Sequence, residues 1–330
     1  MGIFFSFSMV IALVLIAFAG GKVEGLQYLF AVIIPYIAIT IFILGFILRV
    51  FRWSRSPVPF RIPTTCGQQK SLPWIKHSRF DNPDSTLDVI IRMALEVFLF
   101  RSLFRNLKTE MRDGKVAYGS DKWLWLGGLA FHCTFFVVLV RHLRFFMEPV
   151  PLFVNMIDVL DGFMQVGVPH MLMSGVVLLA AASYLFYRRY SIPQVRYISL
   201  PADYFPLFLI MGIALSGILM RYFIKVDIVG VKEMTMGLVT LTPVVKEGIG
   251  VVFFIHLFLI STLLVYFPFS KLMHLGGVFL SPTRNLANDS RRKRHINPWD
   301  YPVKVHTYEE YEDEFRDKMK SVGLPLEKEQ

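Results

Sequence analysis

Four histidines stand in or beside two long apolar runs, and their spacing could do chemistry. His132 and His142 lie in FHCTFFVVLVRH, and His256 and His274 bracket HLFLISTLLVYFPFSKLMH. An unpaired ionisable group inside a membrane is costly, so its presence there points to function. Neutral imidazole is an uncharged ligand that tolerates low dielectric, and two of them on opposite faces of a haem iron fill its axial positions. On a helix, 18 residues make five whole turns, so His256 and His274 share one face about 27 Å apart along the axis. The 10-residue step from His132 to His142 makes about 15 Å and a turn of roughly 80°, still within one broad sector. If the two helices run antiparallel, His142 meets His256 at one depth and His132 meets His274 at the other. Two alternatives compete with paired haem ligands: separate hydrogen bonds that glue helices together, and a non-haem metal. The usual spacings HxxxH, HxxHH and HExxH for the latter are absent.

The elements that must hold these residues are membrane spans. Of the 330 residues, 54% are hydrophobic and 31 are Phe, and the apolar residues gather in blocks. Apolar runs of spanning length fall at roughly 3–19, 27–49, 123–143, 170–188, 202–221 and 249–270. The expected fold is an all-α integral membrane protein of about six transmembrane helices. The first run lacks the basic start of a secretory signal and reads as the short first helix of a hairpin. The net charge of +10 does not point to nucleic acid, because placement matters more than the sum. Lys and Arg number 26 in the segments 51–121, 187–200 and beyond 270, against 4 in the intervening loops. The positive-inside rule then puts both termini and both long polar segments in the cytoplasm of a multi-pass protein of the cell membrane.

Four regions are expected: a transmembrane hairpin at 1–50, a cytoplasmic insert at 51–121, a four-helix histidine-bearing membrane region at 122–275, and a cytoplasmic tail at 276–330. Residues 51–84 are rich in Pro and basic residues without a sustained period, and read as an ordered or partner-bound loop. Residues 85–112 read as helix from a Ser85-x-x-Asp88 start. Asp88, Arg92 and Glu96 share one stripe there, while Arg101, Arg105, Lys108 and Arg112 cluster nearly opposite. That shift predicts a break near 98–100, or two halves facing different surroundings. RRKRH at 291–295 reads as attraction to anionic lipid. Thr307-x-x-Glu310 opens a charged helix that Gly323 can end.

Only two cysteines occur, Cys66 in the insert and Cys133 in a span, with no CxxCH and no CxxC pair. Covalent haem attachment is excluded, and any iron–sulfur centre must belong to a partner. Cys66 reads as a loop thiol. Arg141 and Arg144 are candidates to face haem propionates at the outer end. The loop 145–169 has no Lys or Arg. A proton acceptor for a quinol near the outer haem is therefore sought in His170, with Glu148 or Asp161 as the proton exit.

The H-x9-H helix followed by the H-x17-H helix, at His132, His142, His256 and His274, resembles the dihaem cytochrome b subunits of respiratory nitrate reductase, the gamma subunit family. The resemblance covers about residues 27–275 and implies a five-helix bundle, here with an extra N-terminal helix. It makes the four histidines axial ligands of two b haems. The long insert departs from that family, whose corresponding connection is short. RIPTTCGQQKSLPWIK, followed by RMALEVFLFRSLFRN, resembles the membrane cytochrome b subunits of heterodisulfide-reductase-like, menaquinol-oxidising complexes linked to dissimilatory sulfite reduction. This second resemblance implies menaquinol as the electron donor and a cytoplasmic iron–sulfur subunit as the acceptor. Further implied partners are a periplasmic multihaem cytochrome c, another iron–sulfur protein and a second membrane subunit. The rival functions are a subunit of another quinone- or phenazine-linked reductase and a proton-coupled transporter, though no inverted repeat is evident.

Overall fold

A computed structural model describes residues 2–56, 67–163, 170–289 and 305–328. Cys66 and the RRKRH run lie outside the described residues. Helix α1 (Gly2–Lys22) turns at Gly25, whose φ of 86° a side chain would resist, into α2 (Leu26–Ser54), which contains a π turn at Leu29–Ile33. Small residues let this hairpin close. A Cβ on Gly20 would fall 2.2 Å from the Phe30 ring, and one on Gly21 would press on Phe254.

After the insert come α4 (Lys122–His142), the short α5 (Leu152–Asp161) and α6 (Met173–Ser191). Then follow α7 (Pro201–Ile218, prolonged by a π turn at Leu219–Phe223), α8 (Ile228–Thr240), α9 (Val251–Tyr266) and the short α10 (His274–Leu280). Five segments, α1, α2, α4, α7 and α9 with their short continuations, are long and apolar enough to cross a membrane. Helix α6, expected as a sixth span from residue 170, starts at Met173. It is 19 residues long, but its last turns carry Arg188 and Arg189. It still completes the bundle: α4 packs on α6, α6 on α7, α7 on α1 and α9, and α9 on α1 and α2. Gly127 of α4 lies against the Tyr184 ring, and Arg188 reaches Asp121 at the start of α4 (2.6 Å).

The insert departs from the expected helix over 85–112. Helix α3 (Thr86–Leu99) is capped as expected, with Ser85 Oγ accepting from the Asp88 amide (3.2 Å). It ends at Phe100, held at φ 49° in the left-handed region, and a single turn follows at Arg101–Phe104. Residues Leu107–Arg112 are a strand, β1, paired antiparallel with β2 (Lys115–Ser120). Asp113 and Gly114, just past the expected helix, both take positive φ (51° and 74°) and form the two-residue hairpin turn that pairs 107–112 with 115–120 as strands.

The stripe Asp88, Arg92, Glu96 is buried rather than solvated. Asp88 accepts from Arg79 (2.6 Å), and Asp81 accepts from Arg101 (2.6 Å) and Arg105. Burial alone would raise both carboxyl groups. Hydrogen bonds from Arg101, Arg105 and Ser78 outweigh it for Asp81, and bonds from Arg79 and Ser85 do so for Asp88, so both lie below the usual carboxylate range. The segment 281–289 completes this body: Arg284 pairs with Glu96 (2.9 Å), Asn288 Nδ2 donates to Asn82 Oδ1 (2.9 Å), and the Asn288 amide donates to the Pro83 carbonyl (2.6 Å). The charged tail helix, α11 (Tyr308–Ser321), carries the expected capping box between Thr307 and Glu310, and Gly323 follows at φ 72°.

Candidate functional site

The four histidines meet in two pairs, but not from two unbroken helices. His132 and His142 are on α4 and His256 on α9, whereas the expected helix from His256 to His274 breaks over 267–273, with Ser270 extended, and His274 opens α10. His142 and His256 have ring centroids 6.2 Å apart and planes inclined by 21°, and His132 and His274 lie 5.9 Å apart at 85°. The first is the far pair and the second, beside α3, the insert-side pair. The packing of α4 on α6, and of α9 on α1, α2 and α7, leaves the facing surfaces of α4 and α9 to the histidines.

The ring nitrogens show what these pairs can hold. Nδ1 of His132 faces the Gly128 carbonyl (2.8 Å), Nδ1 of His142 the Val138 carbonyl (2.7 Å) and Nδ1 of His274 the Lys271 carbonyl (2.9 Å). A carbonyl can only accept, so each Nδ1 carries the proton and each Nε2 is left with a lone pair. His256 reaches the same state by another route. Its Nδ1 lies 2.8 Å from Ser216 Oγ, which donates its single proton to the Ile213 carbonyl (3.0 Å) and must therefore accept from the imidazole. This is the arrangement of metal-ligating histidines, with one nitrogen fixed by a carbonyl or hydroxyl and the other free.

The spacing gives a second test. Two imidazoles bound to one metal from opposite sides at about 2 Å each bring their ring centroids roughly 6 Å apart. Both pairs match that value, and among the described residues no three His, Cys, Asp or Glu converge into a closed cage. The residues fit an axially ligated, planar cofactor at each pair. His256 is buried, whereas His132 and His274 are exposed, so the insert-side pair opens to the surface. Phe100 lays its ring edge-to-face on His132 at 4.9 Å, joining the insert to that pair.

The other candidates are placed as follows. Arg141 is engaged by Asp158 (Nε to Oδ1, 3.0 Å), Asp161 (2.8 Å) and Ser174 (3.2 Å), and Arg144 reaches Asp158 (3.1 Å). Burial would raise the Asp158 carboxyl, but Arg141 and Arg144 hold it below the usual range. Asp161 also accepts from the Ser174 amide (2.7 Å) and from Ser174 Oγ (2.5 Å). His170 packs on Gly162, where a Cβ would come within 2.3 Å of its ring. Glu148 pairs with Lys232 near the surface, and Cys133 is an exposed free thiol on α4. The sequence reading passed over Ser216 and Gly217. The small pair inside the apolar run ALSGI was the available signal, because Gly217 lets His256 approach so closely that a Cβ would sit 3.4 Å from its ring.

A family model described as nitrate reductase gamma subunit matches residues 93–291. The Hdr-like menaquinol oxidoreductase cytochrome b-like subunit of Archaeoglobus fulgidus is 47% identical over 279 residues, covering 82% of this chain and 83% of that protein. The protein of the same description from Archaeoglobus profundus is 43% identical over 274 residues, 81% of each chain. This multi-pass helical membrane chain therefore belongs to the nitrate reductase gamma subunit family.

Proposed function

We propose that this chain is a dihaem cytochrome b subunit that oxidises menaquinol near its far pair and passes electrons to a cytoplasmic, heterodisulfide-reductase-like iron–sulfur subunit in dissimilatory sulfur metabolism. The observation that carries this reading is the set of four free Nε2 lone pairs, arranged two by two at two depths. His142 and His256 would hold one b haem, and His132 and His274 the other. Two such groups, when bound, supply one-electron carriers that divide the two-electron oxidation of a quinol and span most of the bilayer. Menaquinol as donor and the identity of the acceptor rest on the similarity to the Archaeoglobus subunits.

The chain's own residues have definable tasks. Ser216 and the three carbonyls fix the tautomers, so the ligand nitrogens need no reorganisation. His170 would accept the quinol proton, and Glu148 at the surface would release it, since Asp161 is held by Arg141 and Ser174. The insert, clasped to 281–289, and the tail helix would form the cytoplasmic docking surface for the iron–sulfur subunit. The other proposed partners are a periplasmic multihaem cytochrome c, a second iron–sulfur protein and a second membrane subunit. A phenazine-type donor is the rival that leaves the histidine pairs unchanged.

A reduced-minus-oxidised spectrum with pyridine-haemochrome quantification tests the reading. Two b haems per chain are expected, and the absence of b-type absorption would return the histidines to helix glue or to a proton-relay transporter. His170→Ala should slow menaquinol reduction of the haems by about 100-fold or more, the usual contribution of a positioned proton acceptor. Reduction by dithionite should be unaffected. Unchanged menaquinol kinetics in that variant would remove His170 from the quinol site.

A further inference from the structure

Three arginines have a buried Nε with no hydrogen-bond partner among the described residues: Arg49, Arg92 and Arg221. Arg92 lies one turn from both Asp88 and Glu96 on α3, whose charges offset it. Arg49 and Arg221 are half-buried and have no carboxylate partner among the described residues, and the buried Nε–H of each lacks an acceptor. Each stands at one end of the bundle beside one histidine pair.

Arg221 follows Gly217 by four residues on the continuation of α7, and Gly217 is the residue that faces the His256 ring. Arg221 is thus one turn further toward the far end on the side that α7 presents to the far pair. Its backbone is in the π turn at Leu219–Phe223, and its guanidinium lies over the Tyr222 ring at 5.8 Å. The only hydrogen bond it makes among the described residues is a long one, Nη2 to the His170 carbonyl at 3.4 Å. Arg49 occupies the corresponding place at the other end. On α2, Gly45 packs on Pro268, Phe46 on Gly276 and Trp53 on Gly277. Arg49 falls on that same stripe, opposite the turn that carries His274, with its guanidinium 5.5 Å from the Trp53 ring. Arg141 and Arg144, by contrast, already hold Asp158 and Asp161.

We propose that Arg221 and Arg49 are the carboxylate anchors of the two cofactor sites, Arg221 receiving the propionates at the far pair and Arg49 those at the insert-side pair. The inference rests on the dihaem reading. A guanidinium with Nε and a terminal nitrogen on one edge matches a carboxylate bidentately, and in Arg49 and Arg221 the Nε is buried without an acceptor among the described residues. Removing the positive charge destabilises the reduced, less positive state of the adjacent iron, so its potential falls.

The test is a redox titration of the full chain in membranes, with haem content measured in parallel. In Arg221→Gln, one of the two b components should shift to lower potential while the other stays. In Arg49→Gln the other component should move, and the double variant should move both. Arg221→Lys and Arg49→Lys keep the charge and should recover most of each shift. Loss of one haem, with the second titrating normally, would be the same result in stronger form. Both components unmoved in the Gln variants, with two haems retained, would overturn the assignment and leave the arginines as lipid-headgroup anchors. Equal shifts of both components in either single variant would also overturn it. A wild-type chain without b haem would instead sink the dihaem reading beneath it.

Discussion

Replacing His142 or His256 by alanine should yield a chain that binds one b haem instead of two, and the haem that remains should no longer be reduced by menaquinol. Replacing His132 or His274 should also halve the haem, but menaquinol should still reduce the one that is left. The expected asymmetry follows from the proposed relay, in which menaquinol is oxidised at the far pair and the insert-side pair, with Phe100 of the insert against His132, hands the electrons on. Loss of a ligand abolishes a site, whereas loss of a positioning partner weakens it by about 10- to 100-fold. Ser216→Ala should therefore leave the far haem bound but more weakly held. Stopped-flow reduction by a menaquinol analogue, with dithionite as the reference for total haem, reads all of these outcomes. Equal menaquinol kinetics in the two classes of variant would refute the order of the relay.

Asp81→Asn should loosen the insert without touching either histidine pair. Asp81 accepts from Arg101 and Arg105 and is largely buried, so its neutralisation leaves two guanidinium groups without their carboxylate. Breaking a buried pair by removing one partner costs about 3 kcal/mol, and the exposure of Arg105 puts the expected loss at or below that figure. Limited proteolysis should then cut between residues 67 and 106 where the parent chain resists. The pH dependence has a definite sign. The folded carboxyl titrates below its unfolded value, so its stabilisation is complete above about pH 4. It is lost as the pH falls through the depressed folded value. The wild-type insert should therefore stay protected down to roughly pH 4 and open only in stronger acid, and the variant should keep only the part of this dependence that Asp88 contributes.

The histidine pairing was legible in the chain through two numbers, of which one held. The 10-residue step lies on one helix and fixes the depths of His132 and His142, whereas the 18-residue step is interrupted over 267–273, so His274 reaches His132 from a separate short helix that the spacing did not foresee. The break at Phe100 was equally accessible, since the charged stripe changes sides there. The hairpin at 107–120 was missed because the helical reading ran to residue 112 and Asp113-Gly114 was not weighed as the turn joining two strands. Ser216, by contrast, meets His256 from 40 residues away, and Asn82 meets Asn288 from 206 away. Contacts of that kind depend on how helices dock, which no local period encodes. The capture of Arg141 by Asp158 and Asp161 was hidden for the same reason, because it requires α5 to fold back over the end of α4.

The left-handed turn at Phe100 leaves position 100 with two incompatible demands. Glycine would adopt a φ of 49° freely, while a bulky aromatic side chain there carries a cost of about 1 kcal/mol or more. Glycine, however, has no ring to lay against His132. A substitution of Phe100 that makes the insert more stable would thus unseat the packing on His132, and one that keeps the packing must keep the cost. Stabilising this chain for study by relaxing the turn at Phe100 would trade away the contact between its insert and His132.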